Sequence, residues 1–275
     1  MNTLKAPIGI FDSGVGGLTV MKKIVRKLPS YDYLYLGDNA RTPYGTRSFE
    51  TIYHYTLDCV KYLFSQNCHL IILACNTASA EALRTIQQRD LPKIDPGKRV
   101  LGVIRPTAEV IGLHTQTGHV GVLGTSGTVN SRSYVMEIAK QFPELNIHQE
   151  ACPMWVPLVE NGEYDKPGAD YFVRQHIQNI RKKSNEIDAL LLACTHFPLL
   201  IPKIRAFTGQ KTTLLSQGNI VADSLADYLE RHPEIDEKCS KGGKRRFLTT
   251  DSTEQFDKHA KTFFGRKVRS EFVEI

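Results

Sequence analysis

The chain has 275 residues, 41% of them hydrophobic and 23% charged, which is material for one large domain or two ordinary ones. Its apolar runs are too short to span a bilayer as a helix, and Met1 to Ile10 contains no signal-peptide core, so a cytoplasmic protein with reduced thiols is expected. The formal charge of +6 is mild, and the cluster Lys238, Lys241, Lys244, Arg245 and Arg246 reads as a solvated loop. It brings no interleaved aromatics, so nucleic-acid binding is not expected.

In chain order, Pro7 to Phe11 is a short apolar strand running into Asp12-Ser13-Gly14-Val15-Gly16-Gly17. From Leu18 the apolar residues recur at three and four positions, a helix that ends near Pro29. Tyr33 to Leu36 is a second strand, Gly37 to Gly45 an exposed loop, and Ser48 to Phe64 a helix. Leu70-Ile71-Ile72-Leu73-Ala74-Cys75-Asn76-Thr77 then reads as a buried parallel strand entering a helix that extends over Ala78 to Gln88. Pro92, Pro96 and Gly97 mark a break before the strand Val100 to Ile104.

The pattern restarts at His119 to Leu123, a strand followed by Gly124-Thr125-Ser126-Gly127-Thr128 and a helix containing Tyr134 and Ile138. This unit is offset from the first by 112 residues (Pro7 to His119), and Cys194, at the end of Ala189-Leu190-Leu191-Leu192-Ala193, follows Cys75 by 119. Near-equal offsets indicate an internal duplication. A strand at Thr212 to Leu215, a helix from Asn219 to Glu230, and a strand, helix and strand close the chain. The fold class is therefore α/β, with two similar parallel-sheet lobes related by pseudo-symmetry and the ligand between them. Residues 1–97 and 212–275 are assigned to a first lobe carrying Cys75, and 98–211 to a second carrying Cys194.

Six cysteines stand at positions 59, 68, 75, 152, 194 and 239, and none forms a Cys-x-x-Cys pair, so neither a zinc site nor a disulfide framework is expected. Taken singly, each is more readily an ordinary buried cysteine than a reactive one. Two in matched contexts at the carboxyl ends of strands suit another task. A helix N-terminus at each sulfur lowers the thiol pKa, and one thiolate can remove a proton from a carbon while the opposite thiol supplies one. Asp12 heads the glycine-rich turn, where its carboxylate can orient an ammonium group or tune Cys75; the turn matches neither a dinucleotide nor a Walker fingerprint.

These residues together resemble the glutamate racemases, cofactor-independent enzymes of the Asp/Glu racemase family that supply D-glutamate for peptidoglycan. The likeness is carried by Phe11 to Gly17, Gly37-Asp38 with Pro43-Tyr44-Gly45, Ala74 to Ser79, Gly127-Thr128-Val129, Pro157-Leu158-Val159-Glu160, and Ala193 to Pro198. It implies that Cys75 and Cys194 are the acid/base pair, with Asp12 supporting the first and Glu160 and His196 the second. It implies substrate contacts from Asp12, Ser13, Tyr44, Gly45, Asn76, Thr77, Thr195 and His196, with Thr128 a further one, no cofactor, and a homodimer. Thr195-His196 resembles the glutamate rather than the aspartate enzymes, which tend to carry an acidic residue there. One stretch departs: Leu215-Ser216-Gln217-Gly218 has no aspartate after its apolar run.

Overall fold

A computed structural model describes residues 4–275, so the first three residues of the expected first lobe lie outside the described residues. The first strand, β1 (Ile8–Asp12), is buried along its whole length and leads through the glycine-rich turn to α1 (Leu18–Lys27). β2 (Tyr33–Gly37) follows, then α2 (Phe49–Ser65), whose N-cap Ser48 accepts a hydrogen bond from Thr51 N. β3 (Leu70–Leu73) enters α3 (Asn76–Glu81) directly, two residues earlier than the pattern predicts. The single helix expected to Gln88 is broken into α4 (Leu83–Thr85), a π-helical turn at Ile86–Asp90, and α5 (Leu91–Ile94).

β4 (Arg99–Gly102) is followed by α6 (Ile104–Val110) and then by β5 (His119–Gly124). α7 (Ser126–Asn130), α8 (Ser133–Gln141), β6 (Asn146–Ala151), α9 (Trp155–Glu160) and α10 (Pro167–Lys183) come next. β7 (Ala189–Ala193), α11 (Ile201–Thr208), β8 (Thr213–Ser216), α12 (Gln217–Arg231) and the short α13 (Pro233–Asp236) lead to β9 (Arg245–Thr249), α14 (Thr253–Phe264) and β10 (Ser270–Phe272).

The strands form a six-stranded sheet of order β10-β9-β2-β1-β3-β4 and a four-stranded sheet of order β6-β5-β7-β8. Every pairing between these strands is parallel. The run β2-β1-β3-β4 and the run β6-β5-β7-β8 have the same order, so the duplication inferred from spacing is present as topology. β3 and β7 are equivalent strands, and Cys75 and Cys194 stand just past their carboxyl ends, where open α/β sheets bind ligands.

The lobe boundaries need correction by one strand each. β4, expected in the second lobe, is the edge of the first sheet, and β8, expected in the first, is the edge of the second. The Pro96-Gly97 break is a strand-entry turn, with Gly97 N donating to Asp95 Oδ1, and not a linker between lobes. The chain crosses after β4 through α6 and returns after β8 through α12, which packs on α1. One apolar cluster runs through this junction, from Ile8, Leu18 and Met21 to Val221, Leu225, Trp155 and Phe197.

Lys241 pairs with Asp236 at 2.7 Å and Arg246 with Glu271 at 2.8 Å, so the basic stretch is tied to the first lobe by its own ion pairs. Among the described residues no helix is long and apolar enough to cross a membrane.

Candidate active site

Cys75 occupies the N-cap of α3, and its Sγ accepts from Ala78 N at 3.5 Å, the place usually taken by a serine or aspartate oxygen. Ser13 Oγ is also 3.5 Å from this sulfur. Both contacts favour a thiolate, yet burial and the negative charge of Asp12 outweigh them and push the Cys75 thiol up to about 12. The pull of the helix N-terminus is thus present but overruled, and the thiol ends above its ordinary value in the free site, contrary to the expectation from sequence.

Asp12 lies behind that sulfur, fully buried at the end of β1. One carboxylate oxygen accepts from Gly14 N at 3.1 Å, and the other, Oδ1, has no partner among the described residues. Burial raises its pKa, against the pull of the His196 charge. Gly17 makes the packing feasible, since a Cβ there would stand 2.5 Å from Asp12 Cβ.

Cys194 has a different neighbourhood. Its Sγ is 3.9 Å from His196 Nδ1, and the other ring nitrogen, Nε2, meets Glu160 Oε1 at 3.1 Å. Burial alone would hold the imidazole neutral, but the bonds to Cys194 and Glu160 win and bring His196 to about 10, so it carries a positive charge at neutral pH. Glu160 is the last residue of α9, and Trp155 at the other end packs edge-on against Phe197 at 4.8 Å. That aromatic contact locks α9 onto the loop that carries His196.

The Gly37–Gly45 loop is less exposed than its sequence suggests. Asp38 is fully buried and accepts from Tyr44 OH at 2.5 Å, Arg41 Nε at 2.6 Å and Thr250 Oγ1 at 2.9 Å, which turns Tyr44 inward. Gly45 O accepts from Gly127 N at 3.0 Å, and Thr77 Oγ1 meets Thr125 Oγ1 at 2.9 Å, so the two lobes close over one edge of the site. On another edge Thr19 Oγ1 donates to Thr195 O at 2.9 Å.

Between these groups lies a cavity of about 170 Å³ bordered by Ser13, Tyr44, Gly45, Cys75, Asn76, Thr77, Glu160, Cys194, Thr195 and His196. Asp12 sits behind this wall, and Thr128 is buried away from it, its Oγ1 accepting from Thr125 Oγ1 at 3.1 Å. Thr125, Ser126, Pro153, Val156 and Asn161 border the cavity without having been singled out from sequence. For Thr125 and Ser126 a signal existed, because the duplication aligns their turn with the one that begins at Asp12-Ser13. Among the described residues no three His, Cys, Asp or Glu side chains are grouped to hold a metal ion. The six cysteines are all free and buried.

The arrangement is two thiols in one small polar cavity, one beside a carboxylate and the other beside a cation. The sequence profile of the Asp/Glu/Hydantoin racemase family matches residues 8–222. The chain belongs to that family. Within it, the chain is similar to a glutamate racemase of Cereibacter sphaeroides, 37% identical over 96% of this chain and 98% of the relative. Among solved structures it is similar to glutamate racemase isoform RacE1 of Bacillus anthracis, with a TM-score of 0.89 and 33% identity over 98% of each chain. It is also similar to a glutamate racemase of Francisella tularensis solved in complex with D-glutamate, with a TM-score of 0.86 and 31% identity over 98% of each chain. Family membership thus extends over both lobes and both cysteine strands.

Proposed function

We propose that this chain interconverts L- and D-glutamate by a two-base mechanism at the α-carbon and so supplies D-glutamate for peptidoglycan synthesis in the cytoplasm. The observation that carries the reading is that Cys75 and Cys194 end equivalent strands of the two sheets and border one cavity. The similarity to racemases named for glutamate, one of them crystallised with D-glutamate, supports the choice of substrate.

In this mechanism one sulfur, as thiolate, takes the α-proton and becomes a thiol; the electron pair left on the α-carbon then takes a proton from the opposite thiol, which becomes the thiolate. The enzyme ends with the proton inventory exchanged and returns to its starting state by the reverse reaction or by exchange with solvent. The two sulfurs start unequal. Burial and the Asp12 charge keep Cys75 a thiol in the free site, while the His196 ring lies 3.9 Å from Cys194 Sγ. A substrate ammonium near Asp12 would offset the carboxylate and lower the Cys75 thiol toward the working range, coupling binding to activation. Ser13, Tyr44, Asn76, Thr77 and Thr195 offer hydrogen bonds to the two carboxylates, and a homodimer is part of the same reading.

The test is α-proton exchange in D₂O with each glutamate enantiomer, without added cofactor, for the wild type, Cys75→Ser and Cys194→Ser. Interconversion with solvent deuterium incorporated, lost in both variants, is the expected result. Inversion that survives removal of either thiol would end the two-base mechanism, and faster turnover of aspartate than of glutamate would end the substrate assignment.

A further inference from the structure

Gln217, in the Leu215–Gly218 stretch at the end of β8, is a buried joint between the lobes. It is the first residue of α12 and only 4% exposed. Its Oε1 accepts from Asn76 Nδ2 at 2.7 Å. Its Nε2 donates to Tyr134 OH at 2.5 Å, and Tyr134 OH in turn donates to Asn76 Oδ1 at 2.5 Å. The three side chains form a closed ring in which each donates once and accepts once. They come from α3, α8 and α12, so the ring spans both lobes.

The direction of this ring is fixed by the backbone. Val103 O can only accept, and it faces Gln217 Nε2 at 3.2 Å; Thr107 Oγ1 accepts from the same nitrogen at 3.0 Å and donates to Val103 O at 2.8 Å. A flipped Gln217 would set its oxygen against that carbonyl, so the amide nitrogen must point to Val103 and the oxygen to Asn76. Asn76 must then present Nδ2 to Gln217 and Oδ1 to Tyr134. A carboxamide has two N–H groups, and the second on Asn76 has no acceptor among the described residues, although Asn76 borders the cavity next to Cys75.

We infer that Gln217 is a positioning residue that holds the Asn76 carboxamide in the one orientation in which its unshared N–H meets a substrate carboxylate. The inference rests on the racemase reading for the identity of that carboxylate, and on the ring alone for the orientation of Asn76. A group that binds substrate equally in the ground and transition states acts on KM more than on kcat.

The experiment compares Gln217→Met, Tyr134→Phe and Asn76→Ala, alone and as the pair Gln217→Met with Asn76→Ala, by steady-state kinetics with both glutamate enantiomers and by thermal melting. Gln217→Met is expected to raise KM about tenfold in both directions with kcat changed less than about threefold. In the Asn76→Ala background the same substitution is expected to change KM less than about twofold, because the group it acts through is gone. Tyr134→Phe opens the ring at its other joint and is expected to raise KM as well; it decides the matter where Gln217→Met does not fold. An unchanged KM, or effects that multiply in the double variant, would overturn the inference. A wild type that leaves glutamate untouched would remove the substrate reading, and the inference is then decided by the side-chain N–H resonances of selectively labelled Asn76. Two signals whose separation in the wild type departs from that of a free carboxamide and moves toward it in Gln217→Met support it, and signals unaltered by the substitution overturn it.

Discussion

Asp12 is a carboxylate held where its charge is disfavoured: it is fully buried, one oxygen lacks a partner, and burial raises its pKa. An acid whose folded pKa lies above the unfolded value near 3.8 lowers stability once pH rises past that value. Asp12→Asn is therefore expected to raise the thermal midpoint at pH 7, an advantage that fades as pH falls toward the unfolded value, while reducing racemisation about a hundredfold; melting curves and turnover on one preparation check both. His196 runs the other way. Its folded pKa of about 10 lies above the unfolded value of about 6.5, so its pairing stabilises fully below about pH 6.5 and loses effect as pH rises through about 10. Glu160→Gln should then cost about 1–2 kcal/mol at pH 6, with the gap to wild type in urea unfolding narrowing toward pH 10.5. The identity of these residues was legible in the sequence, since each lies in a short motif. The ionisation of Cys75 was not. Its helix N-terminus is visible in the order of residues, but the burial and the Asp12 charge that overrule it arise only when β1 and β3 pair.

At the scale of elements, the glycine-rich turn after β1 works as a contact surface between lobes. A Cβ on Gly16 would lie 2.3 Å from Thr195 Oγ1 and 2.5 Å from His196 Cε1. Gly16→Ala must push the turn away from the loop that follows Cys194, so it is expected to lose at least tenfold in kcat/KM with a stability loss of about 1–3 kcal/mol; kinetics beside urea titration separate the two effects. Most strands announce themselves, β3 and β7 above all, because a strand buried on both faces is a continuous apolar run. β6 does not: Asn146-Ile147-His148-Gln149-Glu150-Ala151 is an edge strand with a mixed sequence, half-buried at most positions. α10 was open to reading, since its buried residues Ala169, Val173, His176, Ile177 and Ile180 keep helical spacing. Gln217 was seen only as the lack of an aspartate, because its partners lie 141, 114, 110 and 83 residues away.

The whole molecule is held as one body by the apolar cluster that passes from lobe to lobe. Leu225 on α12 is 3% exposed within it. Leu225→Ala is expected to cost about 2–5 kcal/mol and to leave unfolding a single transition. Fluorescence of Trp155 in the second lobe and thiol labelling of Cys59 and Cys68 in the first should give coincident midpoints in wild type and variant; separated midpoints would mean that the lobes unfold independently. The duplication was legible from two offsets, whereas the lobe boundaries were not, because Pro96-Gly97 looks the same whether it ends a domain or opens an edge strand. The way the chain is shared between the sheets also sets an order of events during synthesis. The four strands of the second sheet are contiguous, from His119 to Ser216, whereas the first sheet waits for β9 and β10 at the very end of the chain. On the ribosome, the half that emerges later can close its sheet while the half that emerged earlier still lacks two strands. Chains halted before Arg245 should resist protease across β5 to β8 and be cut within β1 to β4.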